Sequence, residues 1–369
     1  MKSKNIQYIQ ALDHLRAFAA LLIIFYHGLH LLSYQIRFGT SFTFENWLRS
    51  DNVFLAFLIE GHTAVTVFFL LSGFVLTLGS YKKDLHYGKF ICNRVLRVYP
   101  LFIFLIIVGI YTLPNRFELS ALIQTLVGLA NIQKALDIGA FSAMFWAVAV
   151  VWQFYLIFPF LIKFTNSKGP KYLLCLLLLM IVFRIVAFYV GNNIRDLSYF
   201  SIIGRLDQFL LGMLGAIYYM KSRPRGLKWL VVSIAALVGI FASQYWFHRI
   251  GGWPLNHPFR LVWHTYEGAM WLLFILSYIT YADRIPNVIS KTLLSIGAIS
   301  YSLFLVHFTI IERMIHQKLL IQFSQNLFAN CIMNTLIIAI PLTIFVAVLT
   351  YHFIEKPFLS MRCQYHVSL

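Results

Sequence analysis

Arg16 and His27 lie in an apolar stretch, 11–32, where ionisable side chains are costly and mark function before packing. Their separation of eleven residues, at about 100° per residue, falls within ~20° of three helical turns. Both side chains therefore share one helix face, about 16 Å apart along the axis. Asp13, three residues before Arg16, stands on a compatible face for an ion pair. A neutral imidazole takes a proton near neutral pH and is the commonest general base. A guanidinium offers a planar fork to phosphate or carboxylate oxygens. The pair reads as a proton acceptor with an anion anchor at membrane depth. The same residues also fit an arginine that snorkels to lipid phosphate and a histidine that bonds a neighbouring helix.

The elements that must hold them follow from composition. The 369-residue chain is 60% hydrophobic and 12% charged, with 35 Phe and 20 Tyr, and its mean hydropathy is +0.76. Ordinary soluble domains are about 45–50% apolar and about 25% charged. A soluble enzyme, a disordered chain and a nucleic-acid binder are excluded. The formal charge of +17 comes from basic residues set between apolar runs, which is a topology signal. Cys92, Cys175, Cys331 and Cys363 have no metal-binding spacing and read as small apolar fillers; no metal is expected. Lys2 and Lys4 precede the first apolar stretch, but Asp13 and Arg16 interrupt it and no small-residue cleavage site follows. That segment is expected to stay.

Runs of about 20 apolar residues, enough to cross ~30 Å of hydrocarbon, fall near 11–32, 55–78, 98–114, 141–163, 170–190, 198–220, 227–243, 260–281, 293–315 and 329–354. They predict an all-α polytopic membrane bundle of about ten helices, a single domain over 1–369 with no soluble domain. With the N-terminus inside, the inner segments hold Lys2, Lys4, Lys82, Lys83, Lys89, Arg94, Arg97, Lys163, Lys168, Lys171, Lys221, Arg223, Arg225, Lys228, Arg284, Lys291, Lys356 and Arg362. The outer loops hold Arg37, Arg49, Arg116, Lys134, Arg195, Arg249, Arg260 and Lys318, a ratio of roughly two to one. Both termini are predicted to be cytoplasmic.

Seven segments, in order, carry a resemblance. LDHLRAFAALLIIFYH (12–27), FFLLSGFVL (68–76), RVLRVYP (94–100), WAVAVVWQFYLIFP (146–159), RLDQFLLGMLGA (205–216), ISYSLFLVH (299–307) and FIEKP (353–357) resemble the motifs of acyltransferase family three. The resemblance covers about 12–357. It departs at Val151, where the family usually has Glu, and at Ala147, His14 and Thr66, where Ser, Gly and Asp are usual. Glu60, Glu267 and Asp207 are the acids that could stand in for the missing one.

The resemblance implies transfer of an acyl group, usually acetyl, from cytoplasmic acetyl-CoA to a hydroxyl of an envelope carbohydrate such as lipopolysaccharide O-antigen or exopolysaccharide. The site would be a bacterial inner membrane, with membrane lipid around it and no nucleic acid. His27 is then the candidate base and Arg16 the electrostatic stabiliser or donor anchor. Arg94, Arg97 and Lys89, in the basic 82–97 loop, are candidate contacts for CoA phosphates; the alternative is a loop that only sets topology. Ser72 and Gly73 read equally as a close substrate approach or a small-residue packing point. His62, Tyr155, Tyr301 and His307 complete the candidate substrate site, with structural roles as the alternative for His62 and His307. Arg205 with Asp207, and Glu355, read as ion pairs that hold the bundle together. Other acceptors (a lipid, peptidoglycan or a small metabolite) and a transporter or flippase are the competing readings. No inverted repeat supports the last. The oligomeric state is left open.

Overall fold

In hydrocarbon every backbone N–H and C=O must bond within its own segment, so long apolar runs become helices. A computed structural model of the chain describes residues 5 and 8–366; Lys2 and Lys4, part of the inner charge count, lie outside them. Among the described residues there is no strand, only an isolated antiparallel bridge between Leu85 and His366. The helices in chain order are α1 (Gln10–Phe38), α2 (Val53–Ile59), α3 (Thr63–Ser80), α4 (Tyr87–Thr112), α5 (Leu119–Leu126), α6 (Phe145–Lys168), α7 (Lys171–Tyr189), α8 (Ile194–Phe200) and α9 (Ile202–Ser222). Then follow α10 (Leu227–Ile250), α11 (Arg260–Ile279), α12 (Asn287–Ala298), α13 (Ser300–His316) and a last long helix, α14 (Leu327–Ser360).

Seven of these are long and apolar enough to cross a membrane, and nine if the bent pairs α8/α9 and α12/α13 each form one span. The remaining predicted run, 260–281, is helix α11; Arg260, His264 and Glu267 keep it out of that apolar set. The pairs bend by 46° and 71°. Two widened π turns, Thr335–Ala339 and Tyr351–Glu355, interrupt α14.

The centre of the bundle is α1 and α3, whose most apolar windows are 72% and 78% buried; α7 and α10, at 17% and 22%, form the lipid-facing rim. Helix α1 packs on α3, α12 and α13, and α3 packs along α9. The α3–α9 seam is very close: a Cβ on Gly73 would meet the Phe209 carbonyl oxygen at 2.1 Å, and one on Gly212 would meet that of Leu70 at 2.1 Å. Gly73 stands in this seam, where the lack of a Cβ lets the two backbones meet.

The 82–97 loop is largely helix. His86 caps α4 by accepting from the Lys89 amide, so the two charged turns carrying Arg94 and Arg97 are helical. Apolar counting starts this span late because those turns are basic.

Both described ends of the chain meet beneath α1 and α4. Asn5 and Asn93 donate to the Cys363 carbonyl (3.0 and 2.6 Å), and the His86 amide donates to that of Tyr365 (2.9 Å).

Candidate active site

At the end where the termini meet, α1, α3, α4, α6, α12, α13 and α14 enclose a cavity of about 490 Å³. Four guanidinium residues line it: Arg16, Arg94, Arg97 and Arg362. Arg16 pairs with Asp13, as its i, i+3 spacing predicts. Arg97 pairs with Glu355 at 2.9 Å and lies over the Tyr301 ring at 5.3 Å. Glu355 is turned inward by the second π turn and also accepts from Ser302.

Arg94 has no carboxylate partner among the described residues. It is held between the Phe90 and Tyr155 rings, 5.4 and 5.5 Å from their centres, and its Nε is buried without a hydrogen bond. Arg362 sits just past the last span on the C-terminal segment. Burial first, and then the positive charges of Arg97 and Arg94, lower its pKa to about 10, which leaves it charged at neutral pH. Such crowding of cations favours an anionic guest.

Ser72, Tyr155 and Tyr301 line the same cavity. The Ser72 hydroxyl donates to the Phe68 carbonyl (2.9 Å) and that of Tyr301 to the Val98 carbonyl (2.8 Å). Lys89 is exposed on the outside of α4 and is not part of the lining. Val151 and Ala147 face the cavity, so the usual Glu would point into it. Its suggested substitutes lie elsewhere: Glu60, Glu267 and Asp207 are absent from the lining, whose own acid is Asp13.

Val65, Phe68 and Phe304 line the cavity, the two Phe rings 5.7 Å apart. His27 and His307 are not in the lining, but the His307 ring lies 6.1 Å from that of Phe304. His307 Nε2 is 2.9 Å from His27 Nδ1, which also lies 3.1 Å from the Ile23 carbonyl; His307 Nδ1 is 3.0 Å from that of Leu303. The Tyr26 and Phe308 rings meet the His27 ring edge-on at 4.6 and 5.2 Å.

Toward the opposite end, His62 belongs to a buried polar knot. Glu60 accepts from Trp47 Nε1 (2.9 Å), His248 Nδ1 (2.8 Å) and the Trp253 amide (3.2 Å), and lies 3.2 Å from His62 Nε2. Beside it Glu267 accepts from Thr66 and Gln244, at 2.7 and 2.8 Å. The expected Arg205–Asp207 pair does not form. Residues two apart on a helix face different ways. Asp207 instead pairs with Arg184 at 3.0 Å, and Arg205 donates to the Tyr199 carbonyl and contacts His264 Nδ1.

Residues 9–352 match the family described as an acyltransferase domain. The chain belongs to this family. Among curated proteins it is 27% identical, over 396 aligned positions, to an O-acetyltransferase-named protein of Staphylococcus aureus strain COL, covering 97% of this chain and 58% of that protein. It is 27% identical over 386 positions to O-acetyltransferase OatA of Staphylococcus aureus strain NCTC 8325, covering 95% of this chain and 57% of the relative. The chain thus spans less than two thirds of the length of these relatives. No solved structure matches it. Acyl transfer, the reaction class expected from the sequence, accords with this membership.

The residues that sequence reasoning missed are Arg362, counted only as an inner charge, and His307 as the neighbour of His27. A basic residue directly after the last apolar run was the available signal for the first.

Proposed function

We propose that the chain is a membrane O-acetyltransferase that takes acetyl from acetyl-CoA on the cytoplasmic side and places it on a hydroxyl of an envelope carbohydrate. The observation that carries this reading is Arg94, a cation facing a cavity without a carboxylate partner, beside Arg97, Arg362 and Arg16. Phosphates of CoA supply the missing negative charge, and guanidinium forks suit them. Tyr155, Tyr301 and Ser72 add hydroxyls along the path. The O-acetyltransferase names of the relatives favour acetyl and a hydroxyl acceptor.

His27 is the base. The acceptor oxygen attacks the thioester carbon as its proton moves to His27; the C–O bond forms, the C–S bond breaks, and the thiolate leaves with that proton. Arg16 is about three turns away along α1, so its role is to anchor the donor and not to touch the reacting carbonyl. A bacterial plasma membrane is the setting, with the cavity end and both termini on the cytoplasmic side.

Titrating CoA onto the purified protein and comparing envelope glycans by mass spectrometry with and without the gene tests the proposal. Binding, and the loss of a mass of one acetyl group from a glycan when the gene is absent, are expected. Absence of CoA binding overturns the donor; an acetylated lipid or metabolite in place of a glycan overturns the acceptor.

A further inference from the structure

The contact between His27 and His307 joins residues 280 positions apart, and it fixes where the protons are. His307 Nδ1 faces a carbonyl oxygen, an acceptor only, so Nδ1 carries the hydrogen and Nε2 is left with a lone pair. That lone pair points at His27 Nδ1, which also faces the Ile23 carbonyl. His27 Nδ1 must therefore be the donor to both. The reverse assignment would set lone pair against lone pair at Ile23 and again at Leu303. A single tautomer of His27 satisfies the whole chain of contacts, and in it Nε2 is bare.

We infer that His307 is a positioning residue, which holds the His27 ring with its Nε2 lone pair free to take the acceptor hydroxyl's proton. The inference rests on His27 being the base of the proposed transfer. His307 is fully buried with both ring nitrogens engaged, by the Leu303 carbonyl and by His27, whereas His27 is only half-buried, so His307 acts through His27 and touches neither donor nor acceptor. Its part is that of the third group in a nucleophile–base–orienter series, filled here by a neutral imidazole in place of a carboxylate. A neutral acceptor orients the ring without placing a negative charge in hydrocarbon, where an unpaired charge is costly. Tyr26 and Phe308, edge-on to the His27 ring, complete the clamp.

The test uses the purified full chain, acetyl-CoA turnover, and His307→Leu beside His307→Gln. The Gln side chain can bring an acceptor oxygen close to the position of Nε2; Leu cannot. His307→Leu is expected to lower kcat by on the order of 10–100-fold, short of the ~10²–10⁴-fold for loss of the base, with KM for acetyl-CoA unchanged. His307→Gln is expected to recover kcat to within a few-fold. An unchanged kcat in the Leu variant, or a Gln variant as slow as the Leu one, overturns the inference. A second measurement needs no His307 variant. In ¹⁵N-histidine spectra, the signal absent from His27→Ala should report hydrogen on Nδ1, and hydrogen on Nε2 overturns the assignment. Should His27→Ala keep its turnover, the base is misassigned, and the spectrum still decides the tautomer.

Discussion

The proposed transfer gives His27 and Arg94 separate tasks, and single substitutions separate them. His27→Ala removes the imidazole whose Nε2 is left free by the Ile23 and His307 contacts and should cut acetyl transfer by about 10²–10⁴-fold. Acetylated glycan measured at matched expression checks it, and near-normal acetylation would remove His27 from the mechanism. Arg94→Ala should weaken CoA binding by on the order of tenfold, the value of one charge-assisted hydrogen bond, with little change in unfolding temperature. Arg97→Ala is a less clean probe, because it strips the buried Glu355 of its cation. The double variant should raise KM for acetyl-CoA more than it changes acceptor use. Unchanged affinity in a CoA titration would leave both arginines as topology signals. The placement of Arg16 and His27 on one helix was legible in the sequence, because a single apolar run carries both. The neighbour of His27 was not, because 280 residues of chain intervene and no local pattern encodes the meeting.

At the scale of elements, each hydrophobic run coincides with a helix or a bent helix pair, seven to nine of them apolar enough to span, but charge and bending hid their ends. Helix α4 starts at Tyr87, eleven residues before its expected start at 98, because its first turns face the cavity with arginines. The expected span 293–315 is two helices at 71°, and nothing in its apolar pattern marks the elbow at Ile299. The α3–α9 seam offers the sharpest test of packing. Gly73→Ala puts a methyl group 2.1 Å from a backbone oxygen that cannot swing aside. A loss of about 1–3 kcal/mol is expected, read as a lower unfolding temperature in detergent, with CoA affinity of the folded fraction preserved. A variant as stable as the parent would mean that the two helices separate easily.

The whole molecule places a cationic cavity at one end and the Glu60 and Glu267 polar knots toward the other, with the histidine pair between. Sidedness follows as a prediction. With the four cysteines replaced, Lys83→Cys should react with a membrane-impermeant thiol reagent only after the cytoplasmic face is opened, whereas Arg116→Cys should react in intact cells. Both positions are exposed at the loops flanking α4. Labelling of the two from the same side would end the proposal that the cavity end faces the cytoplasm and the opposite end the envelope.

The clasp between Asn5 and Cys363 also sets a timetable. These residues stand 358 positions apart, so one side of the cationic cavity cannot close until the segment carrying Cys363 has been made. Arg362, Glu355 and His307 all come from the final fifth of the chain, while Arg16 and His27 are inserted early. A nascent chain stalled on the ribosome therefore owns a histidine without its companion and an arginine cluster without its floor. The ring of four arginines is therefore complete only once synthesis has passed Arg362.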